Sequence, residues 1–491
     1  MKKVLLSAAA LMIGAVSFAQ VAGAPTSQVV SALPGAAATA NAGESIQNGN
    51  ANKVQVRQAG TNQSVYTNQN DGSTGLGGNL ARVFQTGDVS APSGIENAAE
   101  VLQSGAANQS TTIQQGDYNN AYTAQGQNDD ASSGNKARIQ QGTGDQAEEN
   151  YAAIEQDGTD NQAQTLQTYD NSDAWTRQLG TENKSMITQN AAPDGSDGHS
   201  ARNYQDGNRN ESFMSQSGAG GRNDALAQQV GDDNQVKQTQ TTNAVAGSGM
   251  GNRALVSQGT PGALVNPGTI GTEQVLIVGL VQETFPGIPF ISAGDQPSVG
   301  ARAKQVQNGK LQEAEIFQYG GSLSGSNYGE QVQASGWNND AALFQISDGT
   351  ADNYAKQYQA GDNNYVGLVQ ENDGHKALQD QRGHRNSAIS TQQDGYNLLN
   401  IHQRGNDNYA ESDQAGFANS ALIVQYGGQS YVASQNLNGL GGGGNQIDAL
   451  QLGPNGDFGS AAIDCGFEDP MNLDMDYTVP GFDLGDVCPD C

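Results

Sequence analysis

Polar and apolar residues alternate along most of this chain in units of eleven residues. Glutamine marks the unit, and in the C-terminal half it recurs without a break at Gln359, Gln370, Gln381, Gln392, Gln403, Gln414 and Gln425. Asparagine stands six residues before most of these glutamines, at Asn353, Asn364, Asn386, Asn397, Asn408 and Asn419. Glycine often follows two residues after the glutamine. The unit therefore reads Asn-x-Ala-x-apolar-x-Gln-x-Gly-x-x.

This alternation predicts β-strands rather than helices. The marked positions lie two residues apart, so in a strand they point to one face, as Asn419, Ala421, Ile423 and Gln425 would. On a helix the same residues would be scattered around the axis. The Gly-x-x that follows the glutamine supplies a tight turn, because glycine adopts positive φ at no steric cost.

A strand of this length cannot bury its inner face alone. Two units folded face to face make a coil of about 22 residues, and stacked coils bury the inner face between them. Each inner asparagine and glutamine then lies above its equivalent in the next coil, where side-chain amides can form ladders. The sequence therefore predicts an all-β fold: a β-solenoid of about 15 two-strand coils in cross-β stacking, with these asparagines and glutamines as a polar ladder of the core.

Inserts interrupt the spacing and divide the chain into segments. We predict two solenoid segments, 41–259 and 301–453, separated by an interruption at 260–300 that contains several prolines and glycines. Residues 20–40 are expected to be a flexible N-terminal segment. Residues 454–491 form an acidic segment that contains all of the cysteines.

The first residues have the pattern of an export signal. Lys2 and Lys3 precede an apolar run that ends at Phe18, and Ala19 places a small residue before a cleavage site. We predict a signal peptide at 1–19, since the run is shorter than the ~20 apolar residues of a membrane anchor. No later segment is long and apolar enough to span a membrane, so we expect a secreted, extracellular protein.

Composition argues against a conventional globular core. Hydrophobic residues make up 35% of the chain and aromatic residues 6%, while glycine contributes 65 of the 491 residues. This composition is compatible with two classes of protein: a disordered low-complexity chain, and a repeat architecture whose core is built from small and polar residues. The fixed interval of glutamine, with asparagine, alanine and an apolar residue in phase, favours the solenoid. The unassembled chain can still be unfolded.

The formal net charge of −29 disfavours a nucleic-acid partner, because phosphate binding needs clustered Lys and Arg. Mutual repulsion that keeps the chain soluble before assembly is its expected effect. Aspartates recur at turns and outward positions, where they can slow edge-to-edge pairing or serve ordinary turn chemistry, at Asp117, Asp157, Asp206, Asp232, Asp362 and Asp394.

The cysteines, Cys465, Cys488 and Cys491, all lie near the C-terminus. A disulfide in an oxidising compartment, with one thiol left over, is the expected arrangement. A metal site is the alternative, but zinc motifs present a second ligand pair at recognisable spacing. We therefore predict a disulfide among these three residues and no metal ligands.

Two of the four histidines, His199 and His375, occupy the asparagine position of the repeat, where we predict that they substitute in the polar ladder. His384 and His402 fall at turn and outward positions. None has the spacing of a catalytic triad or a metal site, so no catalytic or cofactor-binding residue, and no cofactor, is predicted. A polysaccharide lyase on a β-helix is the enzyme alternative, but the few Lys and Arg form no dense cluster.

The order Gln-x-Gly-x-x-Asn-x-Ala-x-x-x-Gln is similar to the repeat of the curlin family, the subunits of curli functional amyloid. It is complete between Gln403 and Gln414, with Gly405, Asn408 and Ala410 in place. The resemblance covers most of the chain. It implies a homopolymer that leaves the periplasm through an outer-membrane export pore and assembles at the cell surface, often on a nucleator subunit, into biofilm matrix.

The chain departs from familiar curlin subunits in its greater length, its central interruption and its acidic C-terminal segment. These departures leave open whether it is a bulk subunit, a nucleator or a larger matrix protein. We expect a structural subunit of curli-like fibres that self-assembles by β-strand stacking for adhesion and biofilm matrix. The alternative is a monomeric β-solenoid adhesin or glycan- or surface-binding module.

Overall fold

The computed structural model describes residues 39–453 with internal gaps, together with Pro25, 27–30 and Ala37. The gaps are 74, 87–94, 129–130, 143–146, 192–197, 220, 243–250, 260–296, 322–324 and 437–442. The predicted signal peptide, most of the predicted interruption, and the C-terminal segment with its three cysteines lie outside the described residues.

The described residues form β-strands and no helix, and so contain no helix that could cross a membrane. The first strands are β1 (Ala42–Asn48), β2 (Lys53–Gln58), β3 (Ser64–Asn70), β4 (Leu80–Thr86), β5 (Ala98–Ser104), β6 (Gln109–Gln115), β7 (Asn120–Gln125), β8 (Lys136–Gln141), β9 (Tyr151–Thr159), β10 (Gln162–Thr168), β11 (Asp173–Thr181), β12 (Lys184–Asn190), β13 (Ser200–Asn208), β14 (Glu211–Gly218), β15 (Asp224–Asp232), β16 (Gln235–Thr242) and β17 (Arg253–Gln258). After the gap at 260–296 follow β18 (Ser298–Val299), β19 (Arg302–Gly309), β20 (Glu313–Gly320), β21 (Asn327–Ser335), β22 (Asp340–Ser347), β23 (Asn353–Ala360), β24 (Tyr365–Glu371), β25 (Lys376–Arg382), β26 (Ser387–Gln392), β27 (Leu398–Arg404), β28 (Tyr409–Gln414), β29 (Ser420–Tyr426), β30 (Ser430–Gln435) and β31 (Gln446–Leu452).

Successive strands alternate between two parallel sheets. Sheet A takes the odd-numbered strands from β1 to β17 and then the even-numbered strands from β20 to β30. Sheet B takes the even-numbered strands from β2 to β16 and then the odd-numbered strands from β19 to β31. Each path holds 15 strands, and the short strand β18 is added beside β15. The predicted fold class, an all-β solenoid, is confirmed.

The repeat sets the register between coils. Gln381 lies opposite Gln403 in sheet B, and Gln392 lies opposite Gln414 in sheet A. Equivalent residues of these strands therefore point inwards in successive coils, as period-2 alternation requires. The register also continues past the gap at 260–296, because β16 pairs with β19 and β17 pairs with β20. The two predicted solenoid segments form one stack.

The core between the sheets is thin and built mainly from alanine and single branched residues. Ala388 and Ala410 lie over one another in sheet A, and Ile401 and Ile423 do so in sheet B; all four are fully buried. These residues belong to a hydrophobic cluster that extends through the coils from β11 to β30. Because alanine is small, the two backbones approach closely enough for side chains of one sheet to reach carbonyl groups of the other.

The turns depend on glycine where coils touch backbone to backbone. Gly383 has φ of 127°, and a Cβ at this position would lie 2.0 Å from the carbonyl oxygen of Gly405 in the next coil. No side chain could be accommodated there without moving the backbone, so close contact between coils explains why glycine often follows a ladder glutamine.

Part of the segment at 20–40, predicted to be flexible, lies against the outer face of sheet A. The Ser27 hydroxyl donates to the carbonyl oxygen of Ala121 at 2.6 Å. The backbone N–H of Gln28 donates to the carboxylate of Glu100, also at 2.6 Å. These contacts fasten the residues before β1 to coils further along the stack.

Candidate functional site

Two continuous rows of glutamine run along the inner face of the solenoid, one in each sheet. In each row the Nε2 of one glutamine donates to the Oε1 of the glutamine in the next coil. Row A, in sheet A, has distances of 2.7–3.0 Å and contains Gln47, Gln69, Gln103, Gln125, Gln156, Gln178, Gln205, Gln229, Gln258, Gln318, Gln345, Gln370, Gln392, Gln414 and Gln435. Row B, in sheet B, has distances of 2.8–3.2 Å and contains Gln58, Gln85, Gln114, Gln141, Gln167, Gln189, Gln216, Gln240, Gln307, Gln333, Gln359, Gln381, Gln403, Gln425 and Gln451.

From Gln58 in row B and Gln69 in row A onwards, the amides of these rows also bond across the core. Gln403 is fully buried; its Nε2 donates to Gln425 at 2.8 Å and to the carbonyl oxygen of Ser387, in the opposite sheet, at 2.9 Å. Its Oε1 accepts from Gln381 at 2.8 Å. Both amide protons and the oxygen are thus satisfied, which is the condition for burying polar groups without a large free-energy penalty. The rows therefore tie coil to coil and sheet to sheet.

Asparagines form a second pair of rows at the start of each strand. In sheet A, the backbone N–H and Nδ2 of Asn386 both donate to Oδ1 of Asn364 at 3.1 Å, and Asn408 repeats these bonds onto Asn386. In sheet B, Asn419 bonds in the same way to Asn397. The asparagine oxygen thus holds the first backbone N–H of the next coil.

The structure brings the predicted ladder residues together in alternating sets, because consecutive repeats lie in opposite sheets. Ladder partners are therefore two repeats apart. Row A contains Gln370, Gln392 and Gln414, with Asn364, Asn386 and Asn408 in the same sheet. Row B contains Gln359, Gln381, Gln403 and Gln425, with Asn353, Asn397 and Asn419.

His375 takes the place of asparagine in the sheet B row. Its backbone N–H donates to Oδ1 of Asn353 at 2.9 Å, and its Nδ1 accepts from the backbone N–H of Asn397 at 3.4 Å. His199 does the same in sheet A, where its Nδ1 accepts from the backbone N–H of Asn223 at 3.3 Å. Burial lowers the pKa of each imidazole to about 4, so both are neutral at pH 7.

A shorter third row of glutamines was missed by the sequence analysis. Its members occupy the position two residues before the row B glutamines, where the repeat predicts an apolar residue. Nε2 to Oε1 bonds of 2.8–2.9 Å connect Gln238, Gln305, Gln331, Gln357 and Gln379. The sequence contains Gln-x-Gln in five consecutive strands of sheet B, and this motif could have predicted the third row. In the next coil Ile401 takes this position and the row ends.

Most of the turn aspartates singled out from the sequence bond to a neighbouring coil. Asp117 accepts from the backbone N–H of Ile95 at 2.7 Å, and Asp362 accepts from that of Trp337 at 3.0 Å. The same kind of bond is made by Asp157, Asp232 and Asp394. Asp206 instead accepts from the hydroxyl of Tyr204 in its own strand. These carboxylates hold turns together.

Carboxyl groups are buried on the outer face of sheet A. Glu315, on β20, lies between Leu255 and Ala342 of the adjacent strands, and burial raises its pKa to about 8. Burial also raises the pKa of Asp340 on β22, with repulsion from Glu313 and Glu315. The sequence pattern marks these positions only as outward, so it gave no indication of this burial.

The outer face of sheet B carries a short row of alternating charge. Glu330 lies between Lys304 and Lys356 on the two adjacent strands, with N to O distances of 3.4 Å and 3.0 Å. Glu330 and Lys304 are buried. Opposite charges in register across parallel strands stabilise the pairing of β19, β21 and β23.

The end coils differ from the interior ones. Among the described residues, β1 and β2 pair only with the coil that follows, and β30 and β31 only with the coil that precedes. Val56 in β2 is 38% exposed, whereas Val83, the same position in the next coil, is 2% exposed. Among the described residues, no further strand covers the outer edge of either end coil, and Val56 and Tyr431 are less buried than their equivalents in the interior coils.

The described residues contain no group of three His, Cys, Asp or Glu side chains that could hold a metal ion. The predicted disulfide among the cysteines lies outside the described residues. The sites that the structure does display are thus the polar rows and the two end coils.

One family model matches the chain: the curlin associated repeat, over residues 396–427. This range covers β27, β28 and β29 in full, with two members of row B and one of row A. No curated protein sequence matches the chain. The chain therefore carries a curlin-like repeat within a β-solenoid.

Proposed function

We propose that this chain is a secreted structural subunit of curli-like functional amyloid fibres. Copies stack end to end by adding the strands of one end coil to those of another. The observation that carries the proposal is the pair of end coils, whose outer strand edges no described strand pairs with, on a stack whose glutamine rows reach both ends. The fibres would serve adhesion and biofilm matrix at the cell surface.

Strand edges explain why such a stack grows. A terminal strand presents backbone N–H and C=O groups that a further strand can satisfy, and β-strand addition is a common mode of protein association. In this chain an added coil of two strands would also extend two asparagine and two glutamine rows. Each added copy therefore repeats the contacts that already join the coils within one copy.

The likeness to the curlin associated repeat supports the same function. By that likeness, the partners are further copies of this chain, a nucleator subunit and an outer-membrane export pore. The N-terminal sequence pattern supports secretion. No enzymatic activity is part of this proposal, because the polar rows are saturated with hydrogen bonds and the proposed work is assembly.

A time course of the purified chain diluted from denaturant tests the proposal. Thioflavin fluorescence and electron microscopy should show a lag and then fibres much longer than the ~70 Å expected for one copy from strand spacing. Replacing Gln403 and Gln414 together by Leu should slow growth, because both rows are interrupted. Gln393→Leu, at an exposed position beside Gln392, is the matched control.

A stable, soluble, β-rich monomer at high concentration would overturn the fibre proposal. It would favour the alternative of a monomeric adhesin, which glycan- and surface-binding assays would then examine. If fibres of the double variant and of the Gln393→Leu control grow at equal rates, the polar rows do not contribute to assembly.

A further inference from the structure

We infer that residues 260–296 dock on the outer face of sheet A, over the strands β15, β17, β20 and β22. The inference concerns contacts within one copy, so it goes beyond the proposed function and does not depend on it. It follows from the chemistry of this outer face, from its burial, and from the place where the chain leaves and rejoins the stack.

The outer face of sheet A carries an apolar patch in the middle of the stack. Leu226 lies opposite Leu255 on β15 and β17, and Phe317 lies opposite Phe344 on β20 and β22. The rings of Phe317 and Phe344 stack with 4.9 Å between their centres, and Tyr319 packs beside them. These five residues form the outer patch. A contiguous apolar patch on the outside of a protein marks an interaction surface.

The outer patch is buried, although every described strand belongs to one of the two sheets and none lies over it. Leu255 is 3% exposed and Phe317 is 6% exposed. Ile389, in the same outward column of sheet A but further along the stack, is partly exposed. Neighbours on adjacent strands cover the flanks of an outward side chain, but not the side that faces away from the sheet. The burial therefore requires a further segment of chain over this face, which would also cover the buried Glu315.

The chain leaves and rejoins the stack beside this patch. Gly259 follows β17 and lies against Val230 of β15, and Ser298 pairs with Gly231, the next residue of β15. Residues 260–297 are therefore an insertion at a single point of one coil. Because both ends of the insertion are held next to the outer patch, its effective concentration there is high.

The composition of the inserted segment suits an apolar partner. Residues 275–281 read VLIVGLV, and the charged residues of 260–296 are three carboxylates, with no Lys or Arg. The acidic C-terminal segment, 454–491, suits the outer patch less well. The carboxyl groups of Glu313 and Asp340 lie side by side on the same outer face and would repel its many carboxylates. The inserted segment is therefore the occupant that we propose.

Excision of residues 260–297 tests the inference without changing the repeat. Joining Gly259 to Ser298 places consecutive residues opposite Val230 and Gly231, so the coil closes with the spacing of its neighbours. The excised chain is therefore expected to fold as the same solenoid, with the outer patch uncovered. Circular dichroism checks the fold.

The probe is anilinonaphthalene sulfonate, a dye that fluoresces on exposed apolar surface. The folded excised chain should bind at least fivefold more dye than the folded unaltered chain. Adding Leu255→Thr and Phe317→Thr to the excised chain should return the bound dye to the unaltered level, because the dye then loses its apolar contacts. This reversal assigns the dye to the outer patch.

A substitution in the full chain gives an independent readout. Phe317→Lys leaves the inner face unchanged but places a charged amine in the outer patch. Thermolysin, which cleaves at apolar residues, should then cut within 260–296 at least tenfold faster, as mapped by mass spectrometry. Ile389→Lys, an equivalent change on the outer face of β26 away from the patch, is the matched control and should leave this rate unaltered. The proteolysis result decides the matter if the excised chain does not fold.

Equal dye binding by the folded excised and unaltered chains would overturn the inference, and so would equal cleavage of Phe317→Lys and Ile389→Lys. If removal of 454–491, rather than the excision, exposes the patch, the acidic segment is the occupant instead. If dilution of the unaltered chain raises its bound dye, a second copy is the occupant. Failure of the unaltered chain to form fibres would overturn the proposed function and leave this inference standing.

Discussion

Gln258 donates its Nε2 to Oε1 of Gln318 at 2.8 Å, although 60 positions of sequence separate the two residues. In sheet B, Gln240 and Gln307 are joined in the same way across 67 positions. The spacing of the chain is broken here, yet both rows continue with undisturbed geometry. Stacking of the inner face, rather than sequence proximity, therefore decides which coils are neighbours.

Interrupting row A at this place should destabilise the fold. Gln318→Leu leaves Gln258 without its acceptor and Gln345 without its donor, and the two buried polar groups together cost about 3 kcal/mol. The expected result is a lower urea midpoint for the unassembled chain. Gln393→Leu, at an exposed position, should change stability by less than about 0.5 kcal/mol. Equal shifts in the two variants would show that the row contributes nothing specific.

The histidine in the sheet B row should make stability depend on pH. Burial lowers the pKa of His375 to about 4, against about 6.5 in the unfolded chain, so the unfolded state binds more protons between these values. The contribution of His375 is complete above pH 6.5 and declines as the pH falls to about 4, by about 3 kcal/mol.

The His375→Asn variant, which restores the common row residue, should lose this part of the pH dependence. The measurement is the difference in unfolding free energy between variant and unaltered chain at pH 7.5 and at pH 4.5. A difference that is the same at both pH values would mean that His375 is not neutral and buried as the structure shows.

Glu315 should have the opposite effect. Burial raises its pKa to about 8, so the folded state keeps a proton that the unfolded state loses above about pH 4.5. Its contribution to stability is full below pH 4.5 and is lost as the pH rises to about 8. Glu315→Gln should therefore stabilise the chain at pH 9 relative to pH 5, by about 4 kcal/mol.

The control for this variant is Glu44→Gln, an exposed glutamate in the same outward row at the end of sheet A. It should have little effect at either pH. If Glu315→Gln behaves like Glu44→Gln in denaturation at both pH values, the Glu315 carboxyl group is hydrated rather than buried.

The loss of stability on replacing a turn glycine should depend on whether the backbone of the next coil contacts that glycine. Gly383→Ala would place a Cβ against the backbone of Gly405, so we expect a loss of more than about 3 kcal/mol. Gly427 has φ of 71° with open space around its Cβ position, so Gly427→Ala should cost only the ~1 kcal/mol of left-handed backbone. Thermal unfolding of both variants measures the difference. Similar losses would mean that conformation alone, not contact between coils, selects glycine.

The strands, their inward faces and the glutamine rows could be predicted from the sequence. Asparagine, alanine, an apolar residue and glutamine alternate with other residues within each strand, and this unit recurs every eleven residues. The alternating residues can therefore only form the buried face of each strand. Gln403 and Asn408 follow directly from that pattern. The rows also tolerate substitution, as His375 shows at an asparagine position. A unit with one substituted residue therefore still has the spacing of the repeat and can be recognised.

Other features depend on neighbours that the repeat does not specify. Gln357 occupies a position where the repeat predicts an apolar residue. Burial of its amide is favourable because Gln331 and Gln379, at the same position in the adjacent coils, form hydrogen bonds with it. Glu315 has the alternation of a solvent-facing residue, and its burial depends on Leu255 and other residues of adjacent strands. The strand that stacks next to β17 is β20, and residues 260–296 lie between the two in the sequence, so the repeat spacing alone does not predict this pairing.

The chain runs through every coil from β1 to β31, so coils within one copy are joined by covalent bonds as well as by stacking. In the proposed fibre, the junction between copies has only stacking. Under tension or sonication the fibre would therefore fracture at junctions before it fractures within a copy. Fragment lengths would be whole multiples of one molecule, which makes each polypeptide a fixed unit of length along the fibre.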